Sequence, residues 1–215
     1  MNNKPLRAAI IVFPGTNCET ETLDACRFFD FDAKTVWHED KIKDFDLVIL
    51  PGGFSYGDHI SSGRIAKFSP IIKRLQNFDG FILGICNGFQ VLCEAGLLPG
   101  TLITNEKLKF ISKTVELDFD GKFLNIPIAH HQGNYFFEGE LAPHIKTITY
   151  TKNPNGSKQS IAGIFDTQKN IFGLMPHPER AIFEEQISTD GRIIFEEIKK
   201  VLENAKNNTR ISAKA

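Results

Sequence analysis

The stretch FILGICNGFQVLCE (residues 81–94) changes texture in mid-course, and how that change is read decides the fold. Phe81 to Ile85 is a short unbroken apolar run, the signature of a strand buried on both faces. From Asn87 to Glu94 the apolar residues Phe89, Val91 or Leu92, and Cys93 fall at helical spacing instead. Gly84 and Gly88 bracket the change, so the chain is expected to turn sharply from buried strand into buried helix at Cys86.

Outward from this unit the alternation repeats. Leu6 to Phe13 reads as a first buried strand ending at Pro14-Gly15, followed by a helix over Thr20–Phe31 with Asn17 as a candidate N-cap. Ala33–Trp37 and Leu47–Leu50 read as two more strands, the second halted by Pro51-Gly52-Gly53. Ile60–Leu75 looks helical, with a break expected from Gly63 and Pro70. After Lys109 the pattern becomes β-rich, with a hairpin signalled at Asp120-Gly121. Short strands over Ile161–Phe165 and Ile171–Met175 and a closing helix over Arg192–Asn204 follow. Strands alternating with helices need crossover connections, so the expectation is an α/β fold. It is flavodoxin-like and doubly wound, with a mostly parallel sheet and a small antiparallel β extension. Ligands then belong at the carboxyl ends of the strands: after Leu50, after Ile85 and after Met175.

With 215 residues and 24.1 kDa the chain suits one core. A single domain over residues 1–206 is expected, with 207–215 as a loose polar tail. The 25 basic residues nearly cancel the 26 acidic ones, for a net charge of −1. That balance offers no general field for nucleic acid or anionic lipid. The uncharged stretch Gly80 to Cys93 falls short of the ~20 residues of a membrane helix. The first residues lack a cleavage pattern, so a cytoplasmic location is expected. Cys18, Cys26, Cys86 and Cys93 show no C-x-x-C spacing, and the histidines, including the adjacent pair His130-His131, show no metal-binding spacing. No metal is expected.

Three segments could carry chemistry. Gly84-Ile-Cys-Asn-Gly88 matches the nucleophile elbow with Cys in place of Ser, and a helix N-terminus favours the thiolate. The plainer reading of Cys86 is a buried structural cysteine, the reading given to Cys18, Cys26 and Cys93. Met-Pro-His-Pro-Glu (175–179) is stiffened by two prolines. It could hold His177 as a base over Cys86 with Glu179 fixing its tautomer; the rival is an ordinary proline-rich turn. Pro51-Gly-Gly-Phe-Ser-Tyr-Gly-Asp58 lacks a phosphate-loop pattern. A backbone N–H of Gly53 or Phe54, with that of Asn87, could meet an oxyanion, although Gly-Gly also marks plain turns.

Cys86, His177 and Glu179 together resemble the Cys-His-Glu triad of class I glutamine amidotransferases. VFPGTNCE (12–19), LPGGFSYGD (50–58), LGICNGFQVLCEAGLLPG (83–100), IPIAHHQGNY (126–135) and GLMPHPERA (173–181) are similar to blocks of the glutaminase subunits of phosphoribosylformylglycinamidine synthase. The resemblance implies that Cys86 attacks the side-chain amide of glutamine, that His177 shuttles protons and that Glu179 orients it. Gly53 and Asn87 match the oxyanion donors. Gln90, Phe54, His130, Gly133, Asn134 and Tyr135 are implied as substrate contacts. The chain would carry no cofactor, and its ammonia would pass to a large ATP- and Mg-using synthetase subunit that makes formylglycinamidine ribonucleotide, accompanied by a small third subunit. Where such relatives carry a glycine and an acid, this chain has His131 and Gln132. A stand-alone cysteine hydrolase or peptidase of similar α/β shape is the rival enzyme.

Overall fold

A computed structural model of the chain describes residues 5–55 and 63–212. Residues 56–62, part of the Pro51–Asp58 turn and the start of the expected Ile60–Leu75 helix, lie outside the described residues. In chain order the elements are β1 (Arg7–Val12), α1 (Glu19–Phe28), β2 (Asp32–Trp37), β3 (Leu47–Leu50), α2 (Pro70–Leu75), β4 (Phe81–Ile85) and α3 (Asn87–Glu94). Then come β5 (Thr101–Ile103), β6 (Ile111–Phe119), β7 (Lys122–His130), β8 (Asn134–Phe136), β9 (Ile145–Tyr150), β10 (Ile161–Asp166), β11 (Ile171–Leu174) and α4 (Gly191–Ser212).

Among the described residues nine strands form one sheet in the order β2-β1-β3-β4-β11-β10-β9-β6-β7. The first five are mutually parallel, and from β11 outward the pairing is antiparallel. This is the expected mostly parallel open sheet with an antiparallel extension. β3 and β4 are buried at every residue, which is why their sequences run apolar without alternation. α3 is buried from Asn87 to Cys93; each large apolar side chain sealed there, such as Phe89, contributes roughly 1.5–3 kcal/mol.

Several local expectations shift. α1 is capped by Cys18 without a side-chain bond, so Asn17 does not cap it. The break expected near Pro70 is present: extended Ser69 parts a short 3-10 turn over Ala66–Phe68 from α2, which Pro70 opens, and the Ser69 hydroxyl accepts from the Ile71 N–H. Proline is suited to that first position because its missing N–H would be unpaired anyway. The Asp120-Gly121 turn does join β6 to β7, both residues taking positive φ of 54° and 79°. β9 and the two-stranded β5–β8 sheet add to the reading. The closing helix runs past Asn204 to Ser212, through residues expected to be loose. No proline or glycine follows Gly191 to stop it, and Lys206 is tied by its ammonium to Asp46 at 2.9 Å.

Candidate active site

Because β1, β3, β4 and β11 are parallel, their carboxyl ends share one edge of the sheet, and each delivers a segment there. β4 delivers Cys86, at φ 50° and ψ −103°. A non-glycine residue held so costs on the order of 1–3 kcal/mol and persists only where its surroundings enforce it. Here the Cys86 N–H donates to Leu174 O at 2.8 Å, and the Cys86 carbonyl accepts from the Gln90 N–H at 3.1 Å. The elbow is packed so closely that a Cβ on Gly88 would stand 1.9 Å from the Leu50 carbonyl oxygen.

β11 delivers the base. It pairs with β4 in register, Leu174 opposite Ile85, so the residues that follow each strand emerge side by side. Pro178 begins a short 3-10 turn over Pro178–Arg180, and the His177 N–H donates to Pro127 O at 2.8 Å. The Nδ1 edge of His177 meets Glu179 Oε1 at 2.6 Å, with both side chains buried. Nε2 is buried too and makes no close hydrogen bond among the described residues, leaving it as the nitrogen available to Cys86. Burial alone would lower the imidazole pKa, but the Glu179 carboxylate, then the Cys86 sulfur, outweigh it and hold the value up at about 10. The Cys86 Sγ also lies 3.7 Å from Ala129 O. The second of the three sequence segments thus meets the first, bringing a buried imidazole and its buried carboxylate to the Cys86 sulfur.

β3 delivers Gly52, Gly53 and Phe54. The Phe54 N–H donates to Gly15 O at 3.0 Å, so of the two donors considered for an oxyanion the Gly53 N–H is the stronger candidate. The other, the Asn87 N–H, belongs to the first residue of α3, where helical N–H groups have no partner within the helix. Sequence reasoning missed what fixes the loop. Asn87 Oδ1 accepts from the Ser55 hydroxyl and its N–H, while Asn87 Nδ2 donates to Gln90 Oε1 at 2.9 Å and Gln90 Nε2 donates to Gln132 O at 2.6 Å.

A cavity of about 190 Å³ opens beside Cys86, lined by Gly53, Phe54, Gln90, His130 and the His131–Gln132 turn. Gln90, Phe54 and His130, three of the expected substrate contacts, thus line the same cavity as Cys86. Burial, then the charge of His177, lowers His130 to about 4, keeping its ring neutral. Asn105, invisible in the sequence, organises this wall: its Oδ1 accepts from the Gly133 N–H at 3.1 Å and meets His130 Nδ1 at 3.0 Å. The backbone at His131 does not enter the positive-φ region, so a side chain there is unstrained.

Gly133, Asn134 and Tyr135 do not line the cavity. Gly133 packs behind the His130 ring, where a Cβ would approach within 2.3 Å. Tyr135 is fully buried against Phe89, its hydroxyl donating to Pro99 O at 2.7 Å. Tyr135→Phe should leave KM for the substrate unchanged and remove about 1 kcal/mol of stability, a fall in Tm of roughly 2–4 °C; substrate titration and thermal melting check both.

Cys26 and Cys93 are buried packing residues whose thiols burial pushes up. Cys18, read the same way from sequence, is placed differently: it sits at the end of the β1 loop, and its Sγ accepts from Arg180 Nη2 at 3.1 Å.

Comparison with known proteins adds to this geometry. The CobB/CobQ-like glutamine amidotransferase domain matches residues 5–144 and 135–207. A "Phosphoribosylformylglycinamidine synthase subunit PurQ" from Helicobacter hepaticus is 46% identical over 220 residues, covering 92% of this chain and 99% of that protein. The protein of the same name from Alkaliphilus metalliredigens is 42% identical over 225 residues, covering 94% and 100%. A chain in the structure of PurLQS from Thermotoga maritima superposes with a TM-score of 0.86 at 38% identity, over 93% of this chain and all of that one. A putative GMP synthase subunit from Thermoplasma acidophilum shares the fold, with a TM-score of 0.71 at 15% identity over 97% of this chain and all of that one.

Proposed function

Because the chain belongs to the CobB/CobQ-like glutamine amidotransferase family, we propose that Cys86, His177 and Glu179 carry out its glutaminase chemistry. The protein is the glutaminase subunit of phosphoribosylformylglycinamidine synthase, acting in purine biosynthesis. The observation that carries the residue roles is the placement of a strained Cys86 beside a buried His177–Glu179 pair on adjacent, in-register parallel strands.

The Cys86 sulfur attacks the side-chain amide carbon of glutamine, and the negative charge that develops on the oxygen is met by the N–H groups of Gly53 and Asn87. As the tetrahedral species collapses, the imidazolium of His177 gives its Nε2 proton to the leaving nitrogen, which departs as ammonia and leaves a glutamyl thioester. Water, deprotonated by His177, then breaks the thioester to glutamate. Glu179, fixed on Nδ1, keeps the ring in the tautomer and orientation this exchange needs. Gln90, Phe54 and His130 line the space for the glutamine side chain.

Ammonia passes to a synthetase partner that uses ATP and Mg, together with a small third subunit, an assembly consistent with the PurLQS complex of Thermotoga maritima. The location that goes with this role is the cytoplasm. Among the described residues no helix is long and apolar enough to cross a membrane. A reactive glutamine analogue should label Cys86 stoichiometrically, as read by peptide mass spectrometry, with the other three cysteines unmodified. Labelling of a different cysteine, or protection of none by excess glutamine, would refute the assignment.

A further inference from the structure

A second sulfur closes on the catalytic histidine from another direction. Ligand-competent atoms of Cys18, His177 and Glu179 lie within 4.8 Å of one another, and all three residues are buried. A Cβ built on Gly52 would stand 3.1 Å from Cys18 Sγ and 3.3 Å from His177 Nδ1. The same Cβ would stand 2.7 Å from His177 Cε1, so Cys18 lies near the Cε1–Nδ1 side of the ring. Glu179 Oε1 is bonded to His177, but its Oε2 is buried with no hydrogen-bond partner among the described residues. A desolvated carboxylate oxygen without a donor is costly, and a cation would satisfy it.

One thiol, one imidazole and one carboxylate make a donor set that suits Zn²⁺ and similar thiophilic divalent ions, and suits Mg²⁺ or Ca²⁺ poorly. Three protein ligands also leave a fourth position for water, as tetrahedral zinc accepts. Access is short: Asn17 is exposed, and the Arg180–Glu21 ion pair over Cys18, at 3.1 Å, is only partly buried. We propose that Cys18, His177 and Glu179 form an inhibitory site for a thiophilic divalent cation, Zn²⁺ fitting best, which captures the catalytic imidazole by its Nδ1 edge.

Occupation forms one metal–sulfur, one metal–nitrogen and one metal–oxygen bond as the hydrated ion gives up waters to solvent, without any redox change. The proton of the Cys18 thiol and the proton held between Nδ1 and Glu179 leave to solvent. Arg180 must swing away from the sulfur, which its partial exposure permits. With Nδ1 and Glu179 both committed to the metal, His177 can no longer take up and pass on protons.

The inhibition rests on the glutaminase reading; the binding does not. Cobalt(II) added to the full-length chain should give a thiolate-to-cobalt charge-transfer band in the wild type and in Cys86→Ala, and none in Cys18→Ala; excess Zn²⁺ should abolish it. In the assembled synthetase complex, Zn²⁺ should suppress glutamate release, and Cys18→Ala should need at least roughly tenfold more metal for half-inhibition while keeping the metal-free rate. Cys18→Ser, nearly isosteric, replaces the alanine variant should that melt early. A band that vanishes in Cys86→Ala and survives in Cys18→Ala, or no band in the wild type, overturns the proposal. A band that behaves as stated in a chain that releases no glutamate would instead overturn the functional reading alone.

Discussion

Cys86→Ala is expected to abolish glutamine-dependent amidine synthesis by the assembled enzyme while leaving synthesis from added ammonium salt intact. The loss should be roughly 10⁴-fold or more, the scale seen when one member of a nucleophile–base–acid set is removed. The separation of the two activities follows from the geometry. Cys86 acts on the bond that releases ammonia, and its replacement by alanine takes away only the sulfur at the rim of a cavity of about 190 Å³ without touching the Leu174 and Gln90 backbone bonds that shape the elbow. Alanine even retains the Cβ that occupies the strained position at φ 50°. The fold should therefore survive with little change in Tm, and so should docking to the synthetase. Parallel assays with glutamine and with ammonium, on complex whose composition has been checked, test this directly. Equal loss with both nitrogen sources would mean that Cys86 is needed for assembly and is not the nucleophile.

The second large effect lies two residues further on and acts through the backbone. In Gly88→Ala the new methyl would sit 1.9 Å from the carbonyl oxygen and 2.6 Å from the carbonyl carbon of Leu50. Neither atom belongs to a flexible side chain, since Leu50 ends β3 inside a fully buried pairing with β4. The helix must lift off the sheet or β3 must yield. Overpacking of this kind costs typically 1–3 kcal/mol and occasionally more, so about 3 kcal/mol and a fall in Tm of roughly 6–12 °C are expected. Lifting α3 also moves the Asn87 N–H and the Cys86 sulfur relative to Gly53, so kcat should drop even in the folded fraction. Thermal melting together with kcat at a temperature well below the transition checks both parts. A variant that melts normally with normal kcat would show that the elbow does not depend on this contact.

What could be read from sequence was what is local. The strand, turn and helix over Phe81–Glu94 were legible because steric and periodic constraints act within a dozen residues. The same holds for the Asp120-Gly121 turn and for Pro176-His177-Pro178. The pairing of β11 with β4 was not, since nothing in Ile171–Leu174 states which neighbour it joins; that is settled by the whole sheet. The half-exposed β9 carries too weak an apolar signal to stand out. At the site, Cys86, His177, Glu179 and Gln90 were visible through their motifs, whereas Asn105 and Ser55 act only by where the fold brings them. Tyr135 is drawn toward the substrate by its motif, yet it packs beneath it on Phe89. Cys18 reads as mere packing because its partners are distant in sequence.

The placement of β11 against β4 has a consequence for how the protein is made. While the ribosome is still adding residues beyond Leu98, the nucleophile's strand has a neighbour on one flank only, and its other flank offers bare amides and an apolar surface to any passing chain. That flank closes only when the late hairpin of β10 and β11 emerges and inserts. A nascent or prematurely terminated product thus lacks the histidine that the nucleophile needs and leaves that flank open to aggregation.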